Sequence, residues 1–272
     1  LKWLKSFRRA EVGMALQVAV VAGKGSRCAP CGIQSVLSRD DVWLLLSQSG
    51  GEEERANAIV NLAARSTSEL AGCVDVIVEV LGQEAGPKVK AAVCQAVRGA
   101  GAVGALYAQD VGYLLDDQDA DVRYQACLAL AGMGDASAAA LPALARLLRD
   151  DSEVVRYGAC AALGGLEATA CADDVAALLA DRSPEVQGAA CWALGKMGRA
   201  GVGSAPAVAK RLKEPRCRLQ ALRSLAMMRG AAAGYCMEIC ECLTDEDAET
   251  RLAAAAALGA LPGAVAASAP VA

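Results

Sequence analysis

Asp119-Ala-Asp-Val-Arg-Tyr-Gln-Ala-Cys-Leu-Ala-Leu130 is one of seven versions of the same stretch in this chain. The other versions end at Leu62, Val97, Leu163, Leu194, Leu225 and Leu258, so the steps are 35, 33, 33, 31, 31 and 33 residues. A period near 30 marks a stacked repeat array, in which each unit buries its apolar face against its neighbours. Within the stretch, Val122, Ala126, Ala129 and Leu130 fall on one helical face, as do Val155, Ala159, Ala162 and Leu163 one repeat later. The repeating element is therefore a helix with one buried stripe.

Each unit reads as two helices, A and B, joined by a tight turn. The A helices are expected over 40–48, 69–81, 109–115, 138–149, 172–179, 205–213 and 235–243. The B helices are expected over 52–64, 87–98, 120–131, 153–164, 184–196, 215–227 and 249–259. Pro87, Pro184 and Pro215 stand at B-helix starts, where a missing N–H costs little. Gly134, Gly165 and Gly198 follow B helices, where a left-handed cap suits glycine. The organisation is an N-terminal helix over 1–22, a Gly/Cys-rich loop over 23–39, a repeat array over 40–260 and an Ala/Pro-rich tail over 261–272.

Composition agrees with helix packed on helix. Apolar residues make up 55% of the chain but aromatics only 3%, and much of the apolar share is alanine, the strongest helix former. The net charge of −4 comes without a long run of one sign, so nothing suggests a nucleic-acid groove. No apolar run reaches the roughly 18–20 residues of a membrane span. Histidine is absent, which removes histidine acid–base catalysis and histidine metal ligation.

Several motifs fail on their surroundings. Cys28-Ala-Pro-Cys31 has no strand pattern around it for a redox site and lacks two further zinc ligands nearby. Gly23-Lys-Gly-Ser26 lacks the earlier glycine of a phosphate loop, since position 18 is Val. Cys94, Cys127, Cys160 and Cys191 share one slot on the apolar stripe, filled by Ile59 in the first unit, and read as small core residues. Such thiols suggest an intracellular reducing compartment: the cytoplasm, with an organelle as the alternative. Lys2, Lys5, Arg8 and Arg9 beside Trp3, Leu4 and Phe7 read as an incomplete leading repeat helix, the alternative being a targeting or membrane-surface helix. Leu1 in place of Met is expected of a processed form or an excerpt. The run Ala253–Ala257 leaves the last B helix without polar cover, so further repeats are expected beyond it.

The unit Leu114–Gly134, with Leu147–Leu166 and Leu178–Gly198, resembles the HEAT repeat, most closely the short HEAT-like variety of phycobilisome lyases. The resemblance implies an all-α, right-handed solenoid of about seven helix pairs, with no catalytic residue, cofactor or metal. It also implies a ladder of charge between turns: Asp117 and Arg123, Asp150 and Arg156, Asp245 and Arg251, with Asp181 facing Gln187 where the arginine would stand. Arg55, Lys90 and Arg218 hold the basic slot elsewhere. One HEAT-like family, the deoxyhypusine hydroxylases, needs paired His-Glu motifs that this chain lacks.

Two functions follow as expectations. The first is a non-catalytic scaffold or complex subunit that binds one or more proteins on the concave B-helix face. The second, by analogy of fold, is a bilin lyase or chaperone-like factor. In this family the positions one and five after the basic slot lie on the concave side. They include Tyr124, Leu128, Tyr157, Trp192 and Arg223, with Lys196 a turn beyond. Three of the nine aromatics fall here, and Tyr, Trp and Arg are the residue types that anchor interfaces. The competing reading is that Tyr124, Tyr157 and Trp192 pad the grooves between repeats.

Overall fold

The computed structural model describes residues 38–82 and 85–261, the side chain of Gln48 excepted. The expected N-terminal helix, the Cys28–Cys31 pair and nearly all of the tail lie outside these residues. The described residues fall into two compact units, divided between Tyr107 and Ala108. Both are built of helix pairs in an all-α solenoid architecture, and no strand occurs among the described residues.

In the first unit, α1 (Arg39–Gln48) and α2 (Glu52–Ala63) form one pair. Short helices α3 (Thr67–Ala71) and α4 (Val74–Glu79) precede α5 (Pro87–Gly99). Ser38 and Ser66 each begin a helix with a capping box, closed by Asp41 and Glu69. Helices α2 and α5 pack side by side and bury Ile59, Val93, Cys94 and Val97.

The second unit carries five pairs. Its A helices are α6 (Ala108–Tyr113), α8 (Leu141–Leu147), α10 (Ala172–Ala177), α12 (Ala205–Lys210) and α14 (Cys236–Glu241). Its B helices are α7 (Ala120–Ala131), α9 (Glu153–Gly165), α11 (Pro184–Lys196), α13 (Pro215–Met228) and α15 (Ala248–Gly259). Each B helix packs on the next. Cys127, Cys160 and Cys191 are fully buried, as are Leu130, Leu163, Leu194 and Leu225. Burial pushes the thiols of Cys160 and Cys191 upward, Cys191 to about 12.

Two details depart from the sequence reading. The A segments are not single helices. Gly72 closes α3 before α4 begins, and four later A segments end in a three-residue 3-10 turn: Leu114–Asp116, Leu178–Ala180, Arg211–Lys213 and Cys242–Thr244. The tighter turn gives the last carbonyls a partner, as where Asp181 N–H donates to Leu178 O at 3.1 Å. Glycine does not always take the left-handed position. Gly134 and Gly198 do, at φ +56°, but Gly165 is the last residue of α9 and Glu167 adopts φ +49° instead.

Candidate functional site

The turns into the B helices of the second unit are joined by arginine. Arg123 grips the carboxylate of Asp150 in the next repeat with both arms, Nε to Oδ2 at 2.9 Å and Nη2 to Oδ1 at 2.8 Å. Its Nη1 reaches back to the carbonyls of Asp117 and Gln118 at 2.8 and 3.0 Å. Arg156 repeats this on Asp181 (2.7 and 2.9 Å) and on the carbonyls of Asp150 and Asp151 (2.9 and 3.1 Å). The arginine thus takes backbone from its own turn and side chain from the following one. Each aspartate in turn accepts an N–H two residues on: Asp119 for Asp117, Ser152 for Asp150, Ser183 for Asp181 and Asp247 for Asp245. Arg218 donates to Leu212 O and grips Asp245.

Burial opposes ionisation of Asp181, but the Arg156 guanidinium and the Ser183 N–H outweigh it and hold the carboxyl below its ordinary range. The Asp247 N–H, then Arg218, hold Asp245 down likewise. Side-chain exposure is only 7% for Arg156 and 8% for Asp181, so this rung is desolvated; Arg146 and Asp116, about two-thirds exposed, form an ordinary surface pair.

One rung is built differently. Leu179 and Gln187 are eight residues apart, whereas the matching Leu212 and Arg218 are six apart. The shorter turn leaves no aspartate there, and Gln187 stands where the arginine facing it would be. Gln187 Nε2 still donates to Asp181 O at 2.6 Å, and its Oε1 accepts from Arg211 Nη1 at 3.1 Å. The sequence displayed both substitutions but not Arg211, which supplies the missing cation from a position that is leucine in the preceding repeats.

The residues read as a docking row separate into two kinds. Tyr124 lies over Gly158 of the next repeat, where an added Cβ would stand 2.7 Å from its ring. Trp192 lies over Gly164 of the preceding repeat, at 2.9 Å by the same measure. Both are half-buried and fill grooves between helices. Leu128 is half-buried too, and Lys196 faces Glu167 at 3.8 Å. Arg223 is exposed but paired with Glu249 of the next helix. Tyr157 stands out at 39% exposed. Beyond it the row passes Gly188, where an added Cβ would meet nothing nearer than the Gln220 side chain at 3.6 Å, and then Leu219. Val154 and Met227, exposed on the same B helices, were missed. Glycine within the helix at 158 and 164 was the available signal for close approach.

On the turn side, a groove of about 1030 Å³ opens between the last two repeats, with Leu212, Arg216 and Arg218 on one wall and Asp245, Asp247 and Thr250 on the other. Among the described residues no cluster of three or more Cys, Asp or Glu is placed to hold a metal ion, and no helix is long and apolar enough to cross a membrane.

Residues 108–173 and 141–226 match the family model described as HEAT repeats. Residues 108–226 are built of HEAT repeats. Solved structures share the chain's fold at low identity. An engineered protein is similar over 84% of this chain and 70% of its own, with 21% identity and a TM-score of 0.61. A second engineered protein is similar over 81% and 98%, with 21% identity and a TM-score of 0.53. A designed armadillo repeat protein in complex with the peptide (KR)4 is similar over 81% and 98%, with 19% identity and a TM-score of 0.50. No curated protein sequence matches.

Proposed function

We propose that this chain is a non-catalytic scaffold and that the B-helix face of its second unit seats a segment of a partner protein. The observation that carries this is Tyr157, an aromatic left 39% exposed on that face. An exposed aromatic is the residue type that anchors a partner at an interface. The (KR)4 peptide of the armadillo neighbour suggests a basic ligand, but charge argues for a different one here. Of the carboxylates in the first turns of these helices, Glu185 faces Arg216 and Glu249 is held by Arg223. The row is therefore apolar and partly neutralised, and an extended segment with an apolar anchor suits it. A reducing compartment suits the free thiols, Cys240 being exposed.

The test is a photo-crosslinking residue at position 157, followed by affinity measurements on the captured partner. Tyr157→Ala and Gly188→Leu should each weaken binding about tenfold, which is about 1.4 kcal/mol, with helicity and unfolding midpoint retained. Unchanged affinity in both folded variants sinks the assignment of this face.

A further inference from the structure

The groove between the α12–α13 pair and the α14–α15 pair lies where two departures from the repeat coincide. The turn from Leu212 to Arg218 is two residues shorter than its counterparts, Leu179 to Gln187 and Leu243 to Arg251 among them. Cys242, on the facing side, stands where Leu114, Leu147 and Leu178 stand in earlier repeats. Less chain and a smaller side chain leave a groove of about 1030 Å³, the size of a ligand site. The buried residues that line it, Ala209, Leu212 and Cys242, make an apolar floor. Its two walls carry charges of opposite sign. Arg218 and Asp245 grip one another across it, and Asp247 caps α15. The other charged groups are open to a ligand. On the α13 side, Arg216 meets only Glu185 at 3.8 Å with its side chain 76% exposed. Lys213 beside it, and the carboxylates of Glu238, Glu241 and Glu246 on the α14 side, make no ion pair among the described residues.

We propose that this groove is a second docking site, separate from the B-helix face, for an extended segment of a partner protein in which acidic and basic residues alternate. An extended chain sends successive side chains to opposite sides. A segment that reads acid, base, acid, base therefore delivers its carboxylates to Lys213 and Arg216 and its cations to Glu238, Glu241 and Glu246. A segment of one sign satisfies one wall and is repelled by the other. Complementarity of this kind fixes the register and excludes wrong partners.

The experiment uses the whole chain and two fluorescein-labelled hexapeptides of one composition, followed by fluorescence anisotropy. One peptide is three Glu-Lys repeats; the other is three glutamates followed by three lysines. The alternating peptide should bind about tenfold more tightly than its block isomer, and the difference should shrink as salt is raised. Lys213→Glu and Glu241→Lys should each weaken the alternating peptide about tenfold, with helicity unchanged. Lys210→Glu makes the same change of charge at an exposed residue outside the groove and should leave the affinity as it was. So should Tyr157→Ala, which tests the B-helix face separately. Equal affinity for the two peptides overturns the proposal, as does a loss in Lys210→Glu as large as in Lys213→Glu. Binding by neither peptide overturns it as well. Tighter binding of a six-lysine peptide than of the alternating one makes the groove a site for polycations instead. Affinity that falls as protein concentration rises assigns it to a second copy, and either result also overturns the proposal.

Discussion

The rung between Arg156 and Asp181 can be broken from one side or from both, and the two should differ sharply. Asp181→Leu leaves Arg156 with its two carbonyl partners but strips Nε and Nη2 of theirs, inside a site where the arginine is 7% exposed. An uncompensated buried charge of this kind costs about 3–5 kcal/mol, a large share of the ~5–15 kcal/mol that holds a domain folded. The paired change Arg156→Gln with Asp181→Leu removes both charges at once, as at the next junction, where Gln187 stands in the arginine slot and no aspartate faces it. It still loses the acceptor for the Ser183 N–H, worth about 1 kcal/mol, so the double variant should sit about 1–2 kcal/mol below the parent. The coupling should then be about 2 kcal/mol or more. Urea unfolding followed by far-ultraviolet circular dichroism measures all four proteins. The acid limb gives an independent reading. Asp181 is held below its ordinary range, so its contribution is complete above that range and fades as pH falls through the folded-state value. Asp181→Leu should flatten that part of the pH dependence. The reasoning is refuted if Asp181→Leu costs no more than truncating the exposed Asp116, or if the double variant is as unstable as the two single losses added together.

Two further outcomes follow from packing. Gly188→Ala should stabilise by about 0.5–1 kcal/mol, because it removes a mid-helix glycine where the new methyl meets only ordinary contact. Gly164→Ala should destabilise by about 1–3 kcal/mol, because its methyl would stand 2.7 Å from Ala193 Cα; thermal unfolding of the pair checks both signs. Cys160→Ser should cost about 1–3 kcal/mol, and thiol reagents should modify Cys160 only at the rate of unfolding. Because burial raises Cys160 and Cys191, the stability they lend is full below the ordinary thiol range and declines as pH rises through it. Alkaline unfolding that is insensitive to Cys160→Ala would count against that.

The B helices were legible because signals coincide in them: a buried stripe, a fixed period and, in five of the seven, a proline or aspartate at the start. Helix α7 runs over Ala120–Ala131 as read, and α11 over Pro184–Lys196. The A helices were less so, since paired leucines such as Leu178 and Leu179 look helical whether the last turn is α or 3-10. The left-handed cap at Glu167 was hidden because a glycine two residues earlier offered itself for the role. Periodicity named the row that holds Tyr124, Tyr157 and Trp192 but not which way each ring leans. That depends on glycines in the facing helices, at 158 and 164, which no count along one helix can pair with their partners. The direction of the rungs is likewise a property of stacking: a ladder between turns was expected, but the spacing of six does not say that Arg123 reaches forward to Asp150, 27 residues on.

That forward reach has a consequence for biosynthesis. Arg123 and Arg156 close only on an aspartate 27 and 25 residues downstream, so each turn leaves the ribosome before its counter-charge does. Closure must trail emergence by about one repeat, and a nascent chain that has emerged only to a point between Arg156 and Asp181 exposes a cation that the finished protein conceals. The order in which the junctions of the second unit lock is thereby written from N- to C-terminus, whatever the relative stability of the individual pairs.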